Sequence, residues 1–142
     1  MTAEEYILQI DRIDRIITNK TADVLKWRER AKSLGGFSSG ERVQESKDPH
    51  SVEDIISKYL DIEEEIKVLA FQRQSIIKTI ERLPVDEYDV IYKFYVLKMP
   101  YKELVYDLKK SQTWIRDCRK HGLDRIQEIL NKREKTQSVE NC

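Results

Sequence analysis

The chain has 142 residues, of which 39% are hydrophobic and 37% charged, with only four Gly and three Pro. That length allows one domain or two small ones, and that charge, against about 25% in an ordinary globule, excludes a thick core in favour of long helices with narrow apolar seams. Formal net charge is zero, yet residues 1–83 hold 14 Lys/Arg against 16 Asp/Glu and residues 84–142 hold 12 against 10, so a small positive excess sits in the second part.

No run approaches the ~18 apolar residues of a membrane span. The acidic start MTAEEY has no apolar signal core, and Cys118 and Cys142 make no disulfide framework. The expectation is a cytoplasmic protein with no membrane partner.

The first helix opens on a capping box, Thr2 with Glu5 three residues on. Its seam reads Tyr6, Ile10, Ile13, Ile17, Lys20, Val24, Trp27, Ala31, Leu34. The steps alternate four and three, the heptad signature. Gly35 and Gly36 stop it. Residues 35–50 read as a long Gly- and Ser-rich loop closed by the turn signal Asp48-Pro49.

A second helix begins near Ser51, a cap followed by Glu53 and Asp54. Its seam reads Ile55, Tyr59, Ile62, Ile66, Leu69, Arg73, Ile76, Ile80, Leu83, with the same steps. Two helices of similar length joined by one loop predict an antiparallel hairpin. The register pairs Leu34 with Ile55, Trp27 with Ile62, Ile13 with Ile76 and Tyr6 with Leu83. Periodicity equally allows each helix to pair with a second copy in a homodimer. Lys20 and Arg73, the charged residues of the two seams, must lay their stems along them and reach outward to carboxylates such as Asp23 or Glu65.

Pro84 opens a new unit. A helix over Asp86–Leu97 shows Tyr88, Ile91, Tyr92, Tyr95 and Val96 on its apolar side. Another over Tyr101–Leu108 shows Leu104, Val105 and Leu108. Ser111 caps a third, running to about Leu130, with Ile115, Cys118, Gly122, Leu123, Ile126 and Leu130 inward. The tail 131–142 carries almost no apolar residue and is expected to be disordered. The fold class is therefore all-α: a helical hairpin over 1–83, then a three-helix unit over 84–130.

A short helix, a tight turn and a capped basic helix form the helix-turn-helix pattern, in which the second helix enters the major groove of double-stranded DNA. Lys109 and Lys110 stand in the turn. Gln112, Thr113, Trp114, Arg116, Arg119 and Lys120 lie towards the start of the helix, with Trp114 able either to point outward or to tuck back onto the unit. From Lys109 to Lys120 there are five cations against Asp117 alone. DNA needs such an excess. A solvated helix face of ordinary charges is the plainer alternative.

The segment LPVDEYDVIYKFYVLKMPYKELVYDLKKSQTWIRDCRKHGLDRIQEIL resembles region 4 of sigma-70-type factors. The resemblance lies in the Leu-Pro start, the aromatic Tyr95, the Tyr-x-Glu-Leu of Tyr101 to Leu104 and the Ser-capped last helix. With the loop motif GERVQ-x-x-x-DP of Gly40 to Pro49, nearly the whole chain resembles phage and prophage transcriptional regulators of the ArpU and RinA kind. That resemblance implies promoter DNA as partner, with host RNA polymerase as a second. It departs from the pattern where Lys109 replaces a usual Gly, Lys110 an apolar residue, Cys118 a Leu, and Gly122 an Ala at a helix-interior cost of about 1 kcal/mol.

Other chemistry is scarce. Cys118 and His121 lie one turn apart, but no second Cys/His pair completes a metal site. No phosphate-binding loop, nucleophile elbow or convergent carboxylate pair is present. The chain is expected to be no enzyme and to take no cofactor or small-molecule substrate. Two other readings remain: a DNA-packaging or structural coiled-coil oligomer, and a sigma-like polymerase adaptor.

Overall fold

The computed structural model describes residues 1–35 and 52–140. Five α-helices follow one another: α1 (Ala3–Gly35), α2 (Val52–Ile80), α3 (Val85–Ile91), α4 (Tyr101–Leu108) and α5 (Gln112–Glu140), with a π-helical turn at Tyr92–Val96. No strand occurs among the described residues, so the all-α class holds. The loop reading of 36–50, the Ser51 cap and Cys142 lie outside the described residues. Among those described, no helix is long and apolar enough to cross a membrane.

The chain divides into two compact units, one of Ile13–Gln72 and one of Met1–Arg12 with Arg73–Cys142. The division does not follow the boundary expected at Pro84. The first turns of α1 and the end of α2 belong with the C-terminal helices, and the reason lies in side chains given below.

In the unit Ile13–Gln72, the seam positions Ile13, Val24, Ile55 and Ile62 are buried. Ile17, Lys20, Trp27, Ala31, Tyr59, Ile66 and Leu69 are half-buried. Two helices can bury only facing stripes, which is why a four-three rhythm suffices here. Lys20 Nζ reaches Glu65 at 2.5 Å. Arg28 pairs with Glu63, and its guanidinium lies 5.5 Å from the Tyr59 ring centre. Partners fall in number along α2 as they rise along α1, so the helices run antiparallel. Lys20 keeps its seam position because its charge leaves the seam for Glu65. An exposed pair of this kind contributes about 0.2–1 kcal/mol, so the apolar stripe holds the helices and the ion pairs set their register.

In the other unit, Thr2 forms the expected capping box. The Glu5 amide donates to Thr2 Oγ1 at 3.1 Å and the Thr2 amide to Glu5 Oε2 at 3.4 Å. Ala3 and Ile7 are buried beside Ile10, a wider stripe than the heptad alone requires. The Ala3 amide donates to Gln127 Oε1 of α5 at 2.8 Å. The Tyr6 hydroxyl meets Thr79 Oγ1 at 3.0 Å, one turn short of Leu83. Thr79 is only 1% exposed, and Arg133 Nη2 also donates to it at 2.9 Å.

Arg133 explains a correction. Residues 131–140 were expected to be disordered, but α5 continues as helix to Glu140. Arg133 follows Ile126 and Leu130 on the inner side of α5, and its guanidinium binds Tyr6 and Thr79. The exposed arginine is tied back to the buried Thr79 where apolar residues have run out. Lys, Arg, Glu and Gln also favour the helix intrinsically.

The helix expected over Asp86–Leu97 is continuous from Val85 to Val96 but changes its period midway. After Ile91 the backbone widens into a π turn, with the Leu97 amide donating to Tyr92 O at 3.1 Å. Val90, Ile91 and Tyr95 are buried. Val90, absent from the expected apolar side, centres a cluster with Leu104 and Ile115. Phe94, Tyr101, Trp114 and Cys118 pack against it.

Gly122 is a close approach of α5 to α3. A Cβ there would stand 2.9 Å from Ile91 Cγ1 and 3.5 Å from Glu87 Cβ. Ile91 is fully buried, so it has little room to retreat. Gly122→Ala should therefore lower stability by about 1–2 kcal/mol, overpacking outweighing the roughly 1 kcal/mol gained in helix propensity. Chemical denaturation measures it. A more stable variant would show that α3 yields at this crossing.

Candidate nucleic-acid interface

The turn between α4 and α5 is Lys109–Ser111. Lys109 ends α4 in the left-handed region at φ 56°, its amide bonded to Val105 O. A Gly is usual at such a cap because Cβ crowds the backbone there. Ser111 Oγ accepts the Trp114 amide at 3.1 Å, the expected N-cap of α5. No acidic residue lies in the first turn of α5. The free amides and dipole of that end, with Lys109 and Lys110 exposed beside it, form a positive corner.

Ile115 is fully buried and Cys118 half-buried, as their inward placement requires. Gln112, Thr113, Arg116 and Lys120 are exposed. Arg116 lies with its guanidinium 5.6 Å from the Tyr101 ring centre. Stacking of that kind restricts the side chain without using its hydrogen-bond donors. Trp114 takes the second of its two expected places. It is half-buried against the Val90, Leu104 and Ile115 cluster, with Lys110 Nζ 5.2 Å from its ring centre.

Arg119 departs from the expected outer face. Its Nε donates to the Tyr95 hydroxyl at 2.9 Å and its Nη1 to the Tyr101 hydroxyl at 3.3 Å. Its Nη2 pairs with Glu4 Oε2 at 2.6 Å, and the guanidinium lies 5.0 Å from the Phe94 ring centre. The Tyr95 hydroxyl in turn donates to the same Glu4 oxygen at 2.6 Å. Arg119 is therefore an internal tie between α5, the π turn, α4 and the start of α1. The helical period holds the signal for this: residue 119 is four after Ile115 and three before Gly122, inside the buried arc.

Electrostatics follow from that cluster. The Tyr95 hydroxyl bond, with Arg119 beside it, holds the Glu4 carboxyl below its ordinary value against the opposing effect of burial. Burial, helped by the bond to Glu4, pushes the Tyr95 phenol from 10.0 up to about 12. Burial also raises the Cys118 thiol, which keeps it protonated and a poor nucleophile. His121 is exposed, and no group of three or more His, Cys, Asp or Glu able to hold a metal ion occurs among the described residues.

Compared with models of known protein families, with curated proteins and with solved structures, the chain matches none.

Two pH limits follow. Glu4 has a lowered pKa when folded, so its stabilisation is complete above the ordinary carboxylate value and is lost as pH falls through the lowered one. Tyr95 has a raised pKa, so its contribution is intact below 10.0 and lost as pH rises towards about 12. Urea unfolding across pH should show Glu4→Gln flattening the acid limb and Tyr95→Phe the alkaline limb. Arg119→Ala should cost roughly 2–3 kcal/mol, because it strips a charged partner from three groups at once. A variant of Arg119 that keeps full stability but loses a ligand would return this residue to the outer face.

Proposed function

We propose that the chain binds double-stranded DNA through the α4–turn–α5 segment, as a phage-type regulator of transcription acting at promoters together with host RNA polymerase. The observation that carries the reading is the exposed positive corner at the start of α5. Lys109, Lys110, Arg116 and Lys120 stand there in the open, and the opposite side of the helix is gripped by Ile115 and the close contact at Gly122. A recognition helix has these two requirements: a held inner face and a polar outer end with free donors. The motif resemblance to sigma region 4 and to the ArpU and RinA kind of regulator supports the promoter part of the proposal.

Roles follow from position. Lys109 and Lys110 meet phosphates, which orient the protein without reading sequence. Arg116, stacked on Tyr101 but with its donors available, makes a bidentate contact to guanine. Gln112, Thr113 and Lys120 complete the face.

Selection of bound sequences from random duplexes tests the proposal as a whole. Within it, Arg116→Ala should relax the preference at one base pair, a loss of about 1–3 kcal/mol of discrimination, and leave folding intact. An equal loss on specific and random DNA would make Arg116 a backbone clamp. Lys109→Gly separates fold from charge. It should raise stability by about 0.5–1 kcal/mol by relieving the left-handed lysine, yet weaken binding to all duplexes and reduce the salt dependence. Unchanged affinity in the more stable variant would place DNA elsewhere or nowhere.

A further inference from the structure

The back of α2 in the unit Ile13–Gln72 carries a second four-three series, away from the buried seam. Ser57, Leu60, Glu64, Lys67 and Phe71 are spaced three, four, three and four residues apart, and all are exposed. Phe71 is 78% exposed and Leu60 49%, with Val68, 58% exposed, on the flank. Single apolar residues on a surface need no explanation. A heptad register on the solvent side of a helix whose other side is already paired is a different matter, because it matches the geometry of a further helix–helix contact.

The series is also self-complementary. Reversed about the midpoint between Glu64 and Lys67, it places Leu60 opposite Phe71 and Glu64 opposite Lys67. In an antiparallel pair of identical helices each of these layers occurs twice, related by a two-fold axis. The two apolar residues then meet each other, and each charge meets its opposite. Within one chain Lys67 Nζ already reaches Glu64 Oε1 at 3.2 Å, but both side chains are largely exposed, and an exposed pair of neighbours is worth little. Exchange for two such pairs across the axis keeps every charge opposite its complement, at some cost in desolvation, and covers Leu60 and Phe71.

We propose that this face of α2, Leu60, Glu64, Lys67 and Phe71, docks antiparallel on the same face of a second copy of the chain. Two-fold contacts of this isologous kind close on themselves, so the product is a dimer and not a filament. The apolar area offered is small, which places the contact among weak, concentration-dependent ones. The inference does not rest on DNA binding, and its test contains no DNA.

Sedimentation of the full chain across the micromolar range should show a concentration-dependent monomer–dimer equilibrium. Glu64→Lys sets lysines against lysines, and Lys67→Glu sets glutamates against glutamates. Each should shift the mass at a fixed concentration to that of a monomer. The double exchange, Glu64→Lys with Lys67→Glu, should restore the dimer. Circular dichroism checks that each exposed substitution leaves the helices intact. A wild-type chain that stays monomeric at every concentration overturns the proposal. So does a dimer indifferent to either single reversal, which would mean that the copies meet elsewhere. Failure of the double exchange to recover the dimer overturns the antiparallel pairing.

Discussion

One guanidinium orders the C-terminal half of this protein. Arg119 bonds at once to Tyr95 of the π turn, Tyr101 at the start of α4 and Glu4 in the first turn of α1. Three elements distant in sequence are thereby set against one side chain of α5. Apolar packing alone is tolerant of rotation; a planar fork with fixed donor directions is not. Arg119 thus fixes which side of α5 faces the Val90, Leu104 and Ile115 cluster, and with it which side is left exposed. It is also why the beginning of α1 belongs to the same compact unit as α5. The arginine one turn earlier, Arg116, stays exposed, with its guanidinium against the Tyr101 ring.

Close approach completes what the guanidinium orients. With no side chain at position 122, α5 comes within contact of Ile91 and Glu87. The helix loses propensity there and gains a crossing that a Cβ would prevent. Further along, Arg133 repeats the device of Arg119 on a smaller scale, bonding to the buried Thr79 and to Tyr6. Arg119 is half-buried on the inner stripe of α5, whereas Arg133 is exposed and reaches back through its guanidinium. The solution is the one Lys20 adopts in the other unit with Glu65. Long cationic side chains at seam positions are compatible with a thin core provided their charges end on an oxygen.

Most of the helical layout was legible because helix period and capping are local signals. The seam positions Ile13, Val24, Ile55, Ile62, Ile76 and Ile80 are buried as their spacing requires, and Thr2 and Ser111 cap as their chemistry requires. Tyr101–Leu108 matches to the residue. What escaped was set by tertiary contact. The π turn after Ile91 shifts the apolar phase, so Val90 was missed. Residues 131–140 look like a polar tail until Arg133 is given Thr79 to bind. Arg119 was assigned outward because basic residues near a helix start suggest phosphate, although its spacing from Ile115 and Gly122 puts it inside. In the candidate interface, therefore, the exposure of Gln112 and Thr113 next to the cap is legible from the helix start, and the placement of Trp114 and Arg119 needs the tertiary contacts.

Two lysines in the described residues take the left-handed backbone that favours glycine, Lys98 at φ 58° and Lys109 at φ 56°. Each such placement costs roughly 1–2 kcal/mol. For Lys98 the side chain has an internal use, since Nζ pairs with Asp11 in the same unit. For Lys109 no ion pair occurs among the described residues, and the side chain is exposed. If the turn needed only its shape, glycine would serve it better. Strain kept without an internal contact is a reason to look for an external one. The position adjoins Lys110 and the N-terminal end of α5, whose dipole favours an anion. The backbone angle at Lys109 thus marks a position where shape alone would favour glycine, and the charge there is set by the side chains of Lys109 and Lys110.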